Sequence, residues 1–136
     1  MRPEALLDTN ILLRHVLADY EQQSPRAREL IRQVETGQQR VQTSETVVLE
    51  TVFTLSRSYR FPRAEIRAIL LPLLELPGIV FSNKRTLRRA LDVYVDLNLP
   101  FADAYHVALM ERLGITQVFS FDRDFDRVPG IERIEP

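Results

Sequence analysis

Cysteine is absent from the 136 residues, which excludes disulfide scaffolds, thiolate zinc sites, iron–sulfur clusters and cysteine nucleophiles. Histidine occurs only as His15 and His106, too few for a histidine-rich zinc centre. Tryptophan is missing, glycine numbers 4, and a single lysine, Lys84, stands among 18 basic residues. No apolar run approaches the ~20 residues that span a bilayer, and the N-terminus lacks the long apolar segment of a signal peptide. A soluble cytoplasmic protein with no membrane partner is expected. Neither charge sign dominates: 19 acidic groups offset the 18 basic ones, so a strongly basic nucleic-acid footprint is also absent.

What is present is the material of one globular domain spanning residues 1–136. The chain is 45% apolar and 27% charged, with no visible linker, repeat or low-complexity stretch. Short apolar runs alternate with segments of helical period. Ala5–Leu7, Val41–Thr43, Ile79–Phe81 and Gln117–Phe121 read as strands, with a weak further one near Ile134. Helices are expected over Asn10–Ala18, from Ser24-Pro25 to Gly37, from Ser44 towards Tyr59, and from Pro62 to Pro77-Gly78. Two more precede Pro100 and run from Ala104 to Gly114. Ser24 is assigned there as an N-cap with Pro25 at the first helical position. Strands alternating with helices imply parallel strands joined by crossovers, hence an α/β sandwich whose site lies at the carboxyl ends of strands. Asp8 and Asp122 fall at such ends.

Each acidic residue also has an ordinary reading. Asp8 can cap the helix after it, Glu50 can reach solvent from a helix boundary, and Asp103 can complement the dipole of a first helical turn. Asp122, Asp124 and Asp126 mimic the start of a calcium loop, but its required Gly and Glu are replaced by Arg127 and Arg133. Taken together, carboxylates follow two strands and sit on two helices of one small domain. Should they converge, two charges ~4 Å apart at an effective dielectric of ~20 repel by about 4 kcal/mol. Either protons or a divalent cation can relieve that repulsion, and all-oxygen ligation favours Mg²⁺ or Mn²⁺ as the cation.

A phosphatase of the haloacid-dehalogenase type needs a second Asp two residues after the first, where this chain has Asn10. A response-regulator receiver needs a lysine after a late strand, and none is there. Leu7-Asp8-Thr9-Asn10-Ile11-Leu12-Leu13-Arg14, Val48-Leu49-Glu50, Phe101-Ala102-Asp103-Ala104 and Ser120-Phe121-Asp122-Arg123-Asp124-Phe125 instead resemble, in order and spacing, the acidic motifs of PIN-domain ribonucleases. The likeness is nearest to the VapC-type toxins of prokaryotic toxin–antitoxin pairs and covers nearly the whole chain.

That resemblance implies a three-layer α/β sandwich with a central, mostly parallel sheet. It implies a Mg²⁺- or Mn²⁺-dependent endoribonuclease in which activated water attacks phosphorus in line and the 3′-oxygen leaves. Asp8, Glu50, Asp103 and Asp122 become the acidic cluster, with Asp124 as the rival or companion of Asp122. Thr9, Asn10 and Ser120 become supporting residues. The family further implies a homodimer, and a small antitoxin whose tail covers the acidic groove. Arg14 and Arg85 are the candidate contacts to RNA or antitoxin, although the cations Lys84, Arg85, Arg88 and Arg89 also suit a solvated helix face. The apolar stretch Ile69–Leu76 suits either a dimer partner or the chain's own core. A catalytically silent PIN-like module that binds RNA or protein is the alternative function.

Overall fold

Ala5–Leu6 forms the first strand (β1), and its N–H and C=O groups find partners in segments distant in sequence. In the computed structural model, which describes residues 2–136, β1 pairs in parallel with β2 (Val41–Gln42), and β2 pairs in parallel with β3 (Ile79–Val80). The register sets Ala5 beside Val41 and Val41 beside Ile79. Bonds just outside the strands extend this short ladder, including Leu7 N–H to the Gln42 carbonyl at 2.8 Å and Thr43 N–H to the Val80 carbonyl at 3.1 Å. Parallel neighbours require crossovers. The first is α1 (Thr9–Leu17) with α2 (Gln23–Glu35), and the second is α3 (Glu45–Arg57) with α4 (Arg63–Leu74).

The chain divides into two compact units, one ending at Lys84 and the other comprising Arg85–Pro136. In the first unit, apolar side chains three and four apart line the inner helix faces. Val48, Val52, Leu55, Ile66 and Leu70 are each buried. Leu73 and Leu74 are buried as well, so Leu70, Leu73 and Leu74 of the apolar stretch Ile69–Leu76 serve the chain's own core. Ser44 caps α3 by accepting from Val47 N–H at 3.3 Å.

The start of α2 corrects one expectation. Ser24 is not its N-cap, because the helix already begins at Gln23. The Ser24 hydroxyl instead accepts from Tyr20 N–H at 3.1 Å, while Ser24 N–H donates to the Tyr20 carbonyl at 2.9 Å. Pro25 therefore occupies the third helical position, where its missing N–H is one of the donors that any helix leaves without an internal partner.

Gly78 lies where backbones approach closely. Its N–H donates to the Val34 carbonyl at 2.9 Å, and its own carbonyl accepts from Val41 N–H at 2.8 Å. A Cβ at this position would run into the carbonyl oxygens of Gln39 and Val34, which are backbone atoms unable to swing aside. Gly78→Ala is therefore expected to destabilise the fold by on the order of 1–3 kcal/mol, the usual cost of overpacking. Urea denaturation measures it, and an unchanged midpoint would refute the tight packing at Gly78.

The second unit takes the chain through α5 (Lys84–Asp96, beginning at the last residue of the first unit), α6 (Phe101–Leu113), β4 (Gln117–Phe119), a 3₁₀ helix (Arg123–Arg127) and β5 (Glu132–Ile134). Tyr94 and Phe101 meet edge to face with centroids 5.7 Å apart. Gly114, at φ 71°, supplies the left-handed turn that ends α6. β4 and β5 pair in parallel, with Val118 beside Arg133. The expected α/β class with parallel strands is the one observed, its strands bonded as a three-stranded and a two-stranded ladder. Among the described residues, no helix is long and apolar enough to cross a membrane.

Candidate metal centre

In the first unit, Asp8 occupies the N-cap position of α1 with extended backbone, φ −91° and ψ 163°, as a capping residue would. Its side chain nevertheless makes no capping hydrogen bond, and the residue is exposed. The capping role that an Asp before a helix invites is thus not the one it performs. Thr9, the first residue of α1 and almost buried, donates its hydroxyl to Glu50 Oε2 at 2.9 Å. Glu50 itself is exposed on α3. Its carboxylate therefore reaches solvent while accepting from Thr9.

Asn10 is exposed and lines a groove of about 370 Å³ with Arg14, Gln23 and Arg26. Arg14 is held there in one orientation. Its Nε donates to Gln23 Oε1 at 2.8 Å, and its guanidinium stacks 3.5 Å above the Tyr20 ring centroid. Lys84 donates to the Ile79 carbonyl at 3.2 Å, whereas Arg85 is exposed.

In the second unit, three of the expected carboxylates come together. Asp103, Asp122 and Asp124 each present an oxygen within 4.8 Å of the other two. Asp103 stands in the first turn of α6, behind Pro100, which has no side chain able to cap. The positive end of the helix dipole thus favours a carboxylate there. Asp122 lies beyond β4, which ends at Phe119 rather than at Phe121, and caps the 3₁₀ helix by accepting from Asp124 N–H at 2.9 Å. Ser120 supports it directly, since Asp122 N–H donates to the Ser120 hydroxyl at 2.9 Å. In the second unit, Arg89 pairs with Glu111 at 2.9 Å.

The proximity of these acids has an electrostatic signature. Burial, followed by the charge of Asp122 and a hydrogen bond to Asp122, raises the Asp103 carboxyl above the ordinary carboxylate range; His106 opposes and Asp124 adds to the effect. Asp124 is partly neutralised from within, because Arg127 Nη2 lies 3.2 Å from its Oδ1. The same guanidinium donates to the Asn98 carbonyl at 3.3 Å.

The donor set suits a hard divalent cation. Three carboxylates contribute only oxygen, one oxygen of each lies within 4.8 Å of the other two, and their partial exposure admits water ligands. Two arginines of this region, Arg127 and Arg133, entered the sequence reading only as residues that spoil a calcium loop. The alternation of acidic and basic residues from Asp122 to Arg127 hints at local pairing, but no local pattern connects Arg133 to this loop.

The parallel strands and this cluster define an α/β protein with three carboxylates gathered at one place. The chain belongs to the PIN domain family, whose family model matches residues 5–131. It is 24% identical over 131 residues to a VapC ribonuclease of Aquifex aeolicus (strain VF5), with 96% of each chain covered. Over a shorter segment of 32 residues it is 53% identical to ribonuclease VapC13 of Mycobacterium tuberculosis and to a VapC ribonuclease of Mycobacterium bovis, in each case over 24% of either chain.

Proposed function

We propose that this chain is a Mg²⁺- or Mn²⁺-dependent endoribonuclease and the toxin of a toxin–antitoxin pair. The observation that carries the reading is the meeting of Asp103, Asp122 and Asp124 in a chain of the PIN domain family. Similarity to a VapC ribonuclease over 96% of both chains supports the nuclease assignment. Residues 1–136 act in this reading as a single PIN-like domain, with Asp8, Glu50, Asp103 and Asp122 as the catalytic acids and Asp124 as a further cation ligand.

When bound, the cation would supply Lewis-acid stabilisation of phosphoryl charge and an acidified water. The chain's own groups hold and orient. Asp103, Asp122 and Asp124 present the oxygens, and Asp124 N–H fixes Oδ1 of Asp122. Thr9 restricts Glu50 to one orientation. Asn10 lies beside the groove in which Tyr20 and Gln23 hold Arg14 ready for a phosphate or an antitoxin carboxylate. Arg85 is the second such cation. The partners in this reading are RNA, a small antitoxin and a second copy of the chain, in the cytoplasm where RNA is encountered.

The direct test is cleavage of total prokaryotic RNA by the purified, antitoxin-free protein with Mg²⁺, Mn²⁺ or EDTA, beside Asp8→Asn. Discrete products that require the cation and vanish in the variant are the expected result. A folded protein that binds RNA yet cuts nothing with either cation would be a binding module instead.

A further inference from the structure

The loop between β4 and β5 carries three aspartates, Asp122, Asp124 and Asp126, whose charges repel one another and whose positions are exposed or only half-buried. Left to itself, such a segment has little reason to hold two carboxylates against a third. The stretch that carries them, Ser120 to Asp126, is gripped at both ends by one side chain from β5. Arg133 Nη1 donates to the Ser120 carbonyl, where the loop leaves β4, at 3.1 Å. Its Nε and Nη2 donate to the two oxygens of Asp126, towards the other end, at 2.9 and 3.3 Å. Glu135 closes the set by accepting from Nη1 at 2.6 Å.

An ordinary surface ion pair contributes little because both partners stay solvated and mobile. Arg133 differs, since its side chain is only 12% exposed and its planar fork meets a carboxylate with two bonds and a backbone carbonyl with a third. Between these two anchors the loop makes its own bonds, from Asp122 N–H to the Ser120 hydroxyl and from Asp124 N–H to Asp122 Oδ1. The frame held by Arg133 is therefore the frame on which both cluster carboxylates are mounted.

We infer that Arg133 is a positioning residue: it clamps the loop from Ser120 to Asp126 so that Asp122 and Asp124 are delivered to Asp103, while touching neither cation nor substrate. The clamp is a matter of the chain alone. Its consequence for cation binding rests on the proposed function, and the experiment separates the two.

Arg133→Met, Arg133→Lys and the milder Asp126→Asn are compared with Arg89→Met. The last is a control that breaks an exposed two-bond pair with Glu111 outside the loop. Three quantities are read: hydrogen exchange of the Asp122 and Asp124 amides, Mn²⁺ affinity by calorimetry, and melting temperature. Arg133→Met is expected to speed exchange of both amides and to weaken Mn²⁺ binding by about 10–100-fold, the usual effect of losing a group that orients metal ligands. Asp126→Asn, which leaves the bond to Ser120, falls between it and the parent and keeps the test available should the Met variant fold poorly. Lysine keeps the charge but lacks the fork, so it recovers melting temperature without recovering the amides or the affinity. Arg89→Met leaves the amides and the affinity as in the parent and moves the melting temperature little.

Amides as protected in Arg133→Met and Asp126→Asn as in the parent would overturn the inference, whatever the melting temperatures. If the parent protein binds no Mn²⁺, the cation reading fails. Fast amides in the Arg133 variants, absent from Arg89→Met, would still uphold the clamp.

Discussion

Replacing Asp103 by Asn is expected to abolish RNA cleavage and, at neutral pH, to raise the melting temperature of the same protein. The two effects have one origin. Burial and the neighbouring Asp122 carboxylate raise the Asp103 carboxyl above its ordinary range, with His106 working against them and Asp124 adding to them. A raised carboxyl binds its proton more tightly in the folded chain than in the unfolded one. The stability it contributes is thus fully present below the unfolded value near ~3.9 and is lost as pH rises through the folded value. Above that window the ionised cluster works against folding. Asparagine keeps the size and hydrogen-bonding capacity of the side chain without the charge.

Calorimetry should accordingly find Asp103→Asn more stable than the parent by a few degrees at pH 7, with the difference vanishing near pH 3. Cleavage should fall by more than about 100-fold, because even groups that only orient metal ligands cost 10–100-fold when lost. A variant less stable than the parent at pH 7 would show that the carboxylates carry no mutual strain. This gain in stability at the expense of activity is what an arrangement kept for function predicts.

Divalent cations should produce the second large effect. A ligand bound only by the folded state at about 100 times its dissociation constant stabilises by ~2.7 kcal/mol. For a domain of this size that corresponds to a rise in melting temperature of roughly 10 °C. Mg²⁺ or Mn²⁺ is expected to give such a shift, EDTA to reverse it, and NaCl at matched ionic strength to reproduce little of it, since screening alone acts weakly on a partly buried cluster. Asp122→Asn and Asp103→Asn should each lose most of the response. An equal shift in parent and variants would mean that the cation binds elsewhere, and the assignment of Asp103, Asp122 and Asp124 as its holders would fall.

The features legible in the sequence are those written in local patterns. Apolar spacing announced the helices around Leu55 and Leu70. Ser44 marked the start of a helix that it proves to cap, and Gly37 and Gly114 lie just beyond the ends of theirs. The alternation of strand and helix determined the α/β class with parallel strands, because neighbouring parallel strands demand crossovers. The order of the motifs around Asp8, Glu50, Asp103 and Asp122 pointed to the family. Even locally the reading could fail: a serine hydroxyl can bond forwards as a cap or backwards to an earlier turn, and at Ser24 the backward bond prevails.

Contacts between residues far apart in sequence belong to the tertiary structure alone. No spacing rule joins Thr9 to Glu50 across 41 positions, nor brings Asp103 to Asp122 and Asp124. Nor does one hand Ser120 and Asp126 to Arg133. The physical reason is range. Periodicity and capping act over a few residues through backbone geometry, so they are written along the chain. A carboxylate's hydrogen bonds, its burial and the charges beside it are set by whichever strands and helices the core draws together, and the chemistry of Asp103 depends on those neighbours more than on its place in a motif.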